Sequence, residues 1–307
     1  MPTESNEPIQ RIAIIGFGEA GGILGHDLAA RGLLVSTYDV LLDSPAARDA
    51  MLAKARGANV RAGIDHADAM RGAQLIISAV TASSALEVAA DAAGQLAAGQ
   101  TFLDINSVSP RTKQRMAGHF AQSPARFVEA AVMAAFPPLR LQAPMLLGGP
   151  HAAELAARLP ALGLRATVAG DRIGAASAVK MCRSVVIKGL EAIATESMLA
   201  ARRYGAEDAV LESLAATFPG MGWEGKLPDY LISRVAEHGK RRAAEMREAA
   251  QALRDVGVDP LMAEAAAERQ DVLAREIAAH LPGAGVAEKG FSWRALADAL
   301  EKSRAKM

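Results

Sequence analysis

The sequence predicts an α/β domain built on a doubly wound parallel sheet, followed by an all-helical domain. Three observations lead there. An apolar run at residues 12–15 opens directly into a glycine-rich turn, Gly16-x-Gly18-x-x-Gly21, and then a helical pattern. Short apolar runs and helical stretches alternate from there to Gly170. Beyond Gly170 nearly every stretch reads as helix. Alternation of this kind builds parallel sheets with helices on both faces. The expected domains are therefore residues 1–170 and 171–307.

The run Ile12-Ala13-Ile14-Ile15 is too short for a buried helix and suits a central parallel strand. In the turn after it, Gly16 permits the tight bend, Gly18 lets a pyrophosphate approach the backbone, and Gly21 lets helix and strand pack closely. Phe17, Glu19 and Ala20 complete the turn. Free N–H groups at the helix start hold phosphates there, which makes this a Rossmann-type dinucleotide site. A second strand, 33–38, ends in Asp39. That acid falls in the ~20-residue window where a carboxylate accepts from the adenosine ribose hydroxyls. It repels a 2′-phosphate, and Val40-Leu41-Leu42 brings no arginine to welcome one. The expected cofactor is NAD, in preference to NADP. Residues 1–10 are polar and aperiodic and read as a frayed terminus.

The rhythm continues with a helix at 47–56, strands at 58–62 and 75–80, a loop at 81–84, a helix at 85–96 and a strand at 101–105. Ser109 is then a good N-cap and Pro110 a good first helical residue. Strands at 127–132, 145–147 and 166–170 follow, with a helix at 152–159. Ligands of such sheets sit beyond the carboxyl ends of the strands. Val80, Thr81, Asn106 and Ser107 all fall there, beside the expected nicotinamide half.

Composition suits a soluble cytoplasmic enzyme. The 307 residues are enough for two domains with sizeable cores. Thirty-four basic side chains balance thirty-four acidic ones, so bulk charge points to no nucleic acid and no membrane partner. One cysteine, Cys182, rules out an internal disulfide and fits a reducing compartment; it is expected in the core. No signal peptide or apolar 20-mer stands out, so neither export nor membrane insertion is expected. His26, His66, His119, His151 and His280 show no metal-ligand spacing, and no metal is expected.

The helical half breaks at 218–222, near Asp259-Pro260 and at 281–285. Its first helix, 171–204, is apolar over most of its surface, as in a domain or dimer core. Lys180 lies inside it, with Arg183, Ser184 and Lys188 at i+3, i+4 and i+8. A lysine held near a cofactor and partly desolvated has its ammonium form disfavoured, so it can take a proton from a substrate at neutral pH.

Three stretches together carry a resemblance: 16–21 (Gly-Phe-Gly-Glu-Ala-Gly), 104–110 (Asp-Ile-Asn-Ser-Val-Ser-Pro) and 174–180 (Gly-Ala-Ala-Ser-Ala-Val-Lys). In order and approximate spacing they resemble the β-hydroxyacid dehydrogenases, which include 3-hydroxyisobutyrate, tartronate-semialdehyde and 6-phosphogluconate dehydrogenases. The resemblance covers most of the chain. It implies a Rossmann domain, a helical C-terminal domain, homodimers or homotetramers, and oxidation of a hydroxyl β to a carboxylate, with Lys180 as general acid/base. Residues 238–246 resemble a less characterised branch with a C-terminal domain of unassigned function.

The departures are informative. The family's substrate-binding asparagine, four residues after the lysine, is Ser184 here. Its Ser-Gly-Gly loop reads Met133-Ala134-Ala135, and Met133 cannot donate to a carboxylate. Arg183 and Ile187 stand where 6-phosphogluconate dehydrogenase has a histidine and its decarboxylation acid, so that reaction is not expected. The substrate is expected to be a small carboxylate, held by Ser107 and Asn106 at the strand end. The basic cluster His238, Lys240, Arg241 and Arg242, with His238, Arg241 and Arg242 on one helix face, is expected to add charge. Two other classes remain: a non-catalytic NAD-binding regulator, and a reductase of imines or ketones on the same architecture, against which Lys180 speaks.

Overall fold

The computed structural model describes residues 8–281 and 290–304. The expectations for 1–7, and for the part of the last break at 282–285, lie outside the described residues. The chain forms two compact units, Met1–Lys180 and Met181–Met307.

In the first unit the elements run β1 (Arg11–Ile15), α1 (Glu19–Ala30), β2 (Leu34–Tyr38), α2 (Arg48–Gly57), β3 (Arg61–Ala62), α3 (His66–Met70), β4 (Leu75–Ser78) and α4 (Ala85–Gln95). They continue with β5 (Thr101–Asp104), α5 (Pro110–His119), β6 (Arg126–Val132), α6 (Phe136–Leu139), β7 (Met145–Gly148), α7 (Ala152–Arg158) and β8 (Ala166–Gly170). The eight strands form one sheet in the order β3-β2-β1-β4-β5-β6-β7-β8. The strand order reverses between β1 and β4, the switch point at which doubly wound sheets bind their ligands. Ile12, Ile14, Leu75, Ile76, Phe102 and Val128 lie in a continuous core, as central strands buried on both faces require.

Three details depart from the sequence reading. β7 pairs antiparallel with β6, whereas every other pairing is parallel. The connection at 133–144 holds only the one-turn helix α6 and a short 3₁₀ turn, too little for the long helical crossover that usually joins parallel neighbours. β3 is reduced to two residues. Ala58 caps α2 and Asn59 takes a φ of 55°, so the start of the expected strand is spent ending a helix. The single turn α3 was not expected.

In the second unit are α8 (Ala175–Tyr204), which begins before the division and runs through it, then α9 (Glu207–Thr217), α10 (Leu227–Arg254), α11 (Leu261–His280) and α12 (Trp293–Arg304). Met198, Leu231, Ile232, Trp293 and Leu300 form one core there. Ala243, Met246, Ala263 and Ala267 form another between α10 and α11. Alanine brings these two helices close. A Cβ at Gly239 would come within 2.8 Å of the Gln270 carbonyl. No helix among the described residues is long and apolar enough to cross a membrane.

Candidate functional site

The glycine turn is shaped by near-contacts. Gly16 has a φ of 90°, and a Cβ on it would lie 2.5 Å from the Ala79 carbonyl oxygen and 2.8 Å from Val80 Cγ1. A Cβ on Gly21 would lie 1.9 Å from the Gly16 carbonyl oxygen. No heavy atom comes within 4 Å of a Cβ placed on Gly18, so the turn is open there. Gly18 is the N-cap of α1 and offers its first N–H groups no side-chain acceptor. Open space in front of a helix amino end is what a pyrophosphate needs, and the residues present fit a dinucleotide.

Asp39 braces this turn from the end of β2. Its Oδ2 accepts from the Phe17 N–H at 2.6 Å and its Oδ1 from the Leu41 N–H at 3.0 Å. Each carboxylate oxygen keeps a further lone pair, so the same acid can still accept from ribose hydroxyls. Glu19 is exposed and Ala20 half-buried in the first turn of α1. A residue the sequence reading passed over, Lys54 on α2, donates to the carbonyls of Phe17 and Gly18 at 2.5 and 2.7 Å.

Beyond the sheet, Thr81 is exposed, and its hydroxyl bonds those of Ser83 and Ser84 at 3.0 and 3.1 Å. Asn106 turns inward and is 6% exposed. Its Nδ2 donates to Ser78 Oγ at 2.9 Å and to Asp104. Both amide hydrogens are used inside the protein, which leaves Oδ1 as the side-chain atom able to hold a carboxamide. Asp104 also pairs with the fully buried Lys113, whose Nζ reaches the Asp104 carbonyl at 2.9 Å. A buried charge persists only when paired in this way. The network holds the loop after β5, and so presents Ser107.

Lys180 Nζ donates to Ser107 Oγ at 2.5 Å, with both residues half-buried. The start of α8 is fixed by Glu129, an acid buried inside β6. Its Oε1 accepts from the N–H groups of Gly174 and Ala176 at 2.7 and 3.0 Å, and its Oε2 accepts from Ser177 Oγ at 2.9 Å. Anionic charge is favoured at a helix amino end. Met133 is half-buried, and its N–H is taken by the Pro144 carbonyl at 2.9 Å.

The helical unit holds a separate polar network. Ser184 is buried and accepts from Lys188 Nζ at 3.1 Å, and Lys188 pairs with Glu245 at 3.1 Å. Glu191 is fully buried, with Arg242 Nη2 3.4 Å from its Oε1. Burial pushes the Glu191 carboxyl above its ordinary value, and Arg242, Lys188 and Arg234 only partly offset this. The expected basic face is broken up. His238 has a non-helical backbone, which kinks α10 and removes the regular i+3 and i+4 spacing. Arg242 faces Glu191, whereas Arg241 is exposed. His238 is held below its usual pKa by burial, then by Arg241 and Arg234. Arg183 is exposed rather than on one face with Ser184 and Lys188. Cys182, expected in the core, is exposed too. Among the described residues no three His, Cys, Asp or Glu side chains gather as a metal site.

Glu129 and the Asp104–Lys113 pair escaped the sequence reading along with Lys54. An acid inside the apolar run Phe127-Val128-Glu129-Ala130 is a signal that could have found Glu129, because a buried carboxylate demands donors. Nothing local marks Lys54, whose partners lie 36 and 37 residues away.

Residues 11–162 match the NAD binding domain of 6-phosphogluconate dehydrogenase, and residues 201–273 match a domain of unknown function, DUF1932. An uncharacterised 28.5 kDa protein of Methanothermus fervidus is 30% identical over 256 residues, 82% of this chain and 94% of that protein. A conserved hypothetical protein from Sinorhizobium meliloti 1021, solved by crystallography, is 37% identical. That match covers 96% of this chain and 97% of that one, with a TM-score of 0.79. The fold is also that of 3-hydroxyisobutyrate dehydrogenase from Mycobacterium tuberculosis, solved with L-serine, at 15% identity and a TM-score of 0.71 over 95% and 99% of the two chains.

Proposed function

Because the chain belongs to the β-hydroxyacid dehydrogenase family, in the branch that joins the NAD-binding domain to a C-terminal domain of unknown function, we propose that it is an NAD-dependent oxidoreductase of a small β-hydroxy acid. One observation carries this reading: the ammonium of Lys180 against the Ser107 hydroxyl, at the carboxyl end of β5. NAD, when bound, supplies the hydride acceptor. Gly16, Gly18 and Gly21 admit its phosphates, Asp39 accepts from its ribose, and Val80 and Thr81 line the strand end beside it. Lys180, as the free amine, takes the hydroxyl proton of the substrate as hydride leaves the adjacent carbon, and returns it in the reverse direction. Ser107 orients the Lys180 Nζ and donates its own proton to the substrate carboxylate.

Ser184, Arg183, His238, Arg241 and Arg242 remain proposed substrate contacts, with Arg183 and Arg241 the exposed guanidiniums among them. The test is a panel of 3-hydroxy acids offered with NAD, followed at the reduced-nicotinamide absorbance band. Turnover that disappears in Lys180→Met supports the proposal, and no turnover with any member refutes it. A second reading, a non-catalytic NAD-binding regulator, is favoured by one feature. Met133 stands where a substrate-binding serine would, with its N–H already used by Pro144.

Homodimers are part of the proposal. Val186 and Ile193, two helical turns apart on α8, are 68% and 55% exposed, and a second copy would cover such side chains. A cytoplasmic location is proposed on the single unpaired cysteine.

A further inference from the structure

We infer that Lys54 is a phosphate-binding residue of the dinucleotide site, an assignment that rests on the cofactor reading above. Lys54 belongs to α2, outside the glycine motif, and comes fifteen positions after Asp39. Its Nζ nevertheless sits on the motif, donating to Phe17 O at 2.5 Å and Gly18 O at 2.7 Å. The ammonium also lies 5.2 Å from the centre of the Phe17 ring, within cation–π range. Gly22 makes the approach possible: a Cβ there would stand 2.8 Å from Lys54 Cε and 3.0 Å from Nζ. The bare edge of α1 is the track along which the lysine stem lies.

The charge on this group has no partner of its own. Lys54 is exposed and forms no ion pair with any carboxylate among the described residues. Asp39 is engaged by the N–H groups of Phe17 and Leu41, and Glu19 makes no bond to the lysine. Lys54 therefore adds a full positive charge to a helix amino end that already carries about half of one. Two positive features side by side oppose each other until an anion arrives. An ammonium has three donors, and two are used on carbonyls, so one is left. The open space beside Gly18 lies next to one of those carbonyls. A phosphate group settling there would present one oxygen to backbone N–H groups and could turn another past the Gly18 carbonyl toward the ammonium.

Two phosphates share this chemistry, the pyrophosphate common to both nicotinamide dinucleotides and the 2′-phosphate peculiar to NADP. The test is direct binding of NADH and NADPH to the full chain, by nicotinamide fluorescence, over a series of salt concentrations. Wild type, Lys54→Met and Lys54→Arg are compared. We expect Lys54→Met to weaken one or both dinucleotides by about tenfold or more, as loss of a charge-assisted hydrogen bond implies. Its binding should also depend less on salt, and Lys54→Arg should restore both properties. A loss for NADPH alone identifies the 2′-phosphate; a loss for both identifies the pyrophosphate. Unchanged affinity in Lys54→Met overturns the assignment. So does weaker binding with an unaltered salt dependence, because a lysine that merely braces the turn would give that result. If the wild type binds neither dinucleotide, the cofactor reading falls first and the assignment with it.

Discussion

Lys180 and Ser107, 73 residues apart in sequence, meet through a 2.5 Å hydrogen bond between Nζ and Oγ. Two buried carboxylates place them. Asp104 and its partners set the loop of Ser107, and Glu129 sets the helix of Lys180. Replacing Lys180 with Met should leave dinucleotide affinity intact and lower turnover by roughly 10²–10⁴-fold, the usual range for a lost general acid/base. Ser107→Ala should lower turnover less and raise KM. Steady-state kinetics on the substrate found in the panel decides. Near-normal turnover in Lys180→Met would remove the lysine from the chemistry.

Asp39 should make NAD the tighter cofactor. Hydrogen bonds from ribose hydroxyls to a charged acceptor are worth roughly 1.5–3 kcal/mol each, and the 2′-phosphate of NADP is repelled as well. Calorimetric titration with both cofactors measures the gap, and Asp39→Asn should narrow it. NADP binding as tight as NAD would show that the cation of Lys54 outweighs the acid.

Glu129→Met should destabilise the first unit. Its carboxylate accepts three hydrogen bonds, and a thioether of similar length leaves the Gly174 and Ala176 N–H groups without an acceptor. Each stranded buried donor costs roughly 1–3 kcal/mol. Urea unfolding followed by circular dichroism should show the midpoint fall, and an unmoved midpoint would contradict the structural role.

The helical unit should respond to pH through Glu191. Its carboxyl has a higher pKa folded than unfolded. Below the unfolded value it is neutral in both states and costs nothing. Above the folded value it is ionised in both, and the folded state bears the cost of burying the charge. Stability from this group therefore falls as pH rises through the carboxylate range. Glu191→Gln removes the effect, so its melting temperature should gain on wild type between about pH 4.5 and about pH 7.5. A constant difference across that window would refute it.

Val186→Glu should weaken self-association without unfolding the chain, because the side chain is exposed in the single copy. Light scattering coupled to size exclusion reads the mass directly. A wild type that runs as a monomer would end the dimer proposal.

How far the sequence carried varied from one element to the next. The glycine turn and Asp39 were legible because their chemistry is local: consecutive residues make one bend and one helix start. The strand at 166–170 was legible to the residue from its apolar run between breakers. The antiparallel turn of β7 was not, since direction depends on what a short connection can span. The single face expected of the basic cluster was lost for a related reason. Helical spacing assumes an unbroken helix, and His238 breaks it. Arg242 then faces an acid, Glu191, from a different helix. Lys54, Lys113 and Glu129 were invisible because a charged residue reads as surface until its distant partner is known.

Gly148 leaves a mark on which sequences can succeed this one. A Cβ at that position would stand 2.3 Å from Glu129 Oε1 and 3.0 Å from its Cγ. The two positions cannot drift independently: alanine at 148 is a dead end while glutamate holds 129. Shortening Glu129 to aspartate first would withdraw the nearest oxygen, and only then would a methyl group at 148 find room, at the expense of the hydrogen bonds that set the start of α8. In a library of single substitutions, residue 148 should tolerate nothing but glycine, and on a Glu129→Asp background alanine should return. The route from this sequence to a neighbour with both changes has a fixed order of steps, imposed by a single missing methyl group.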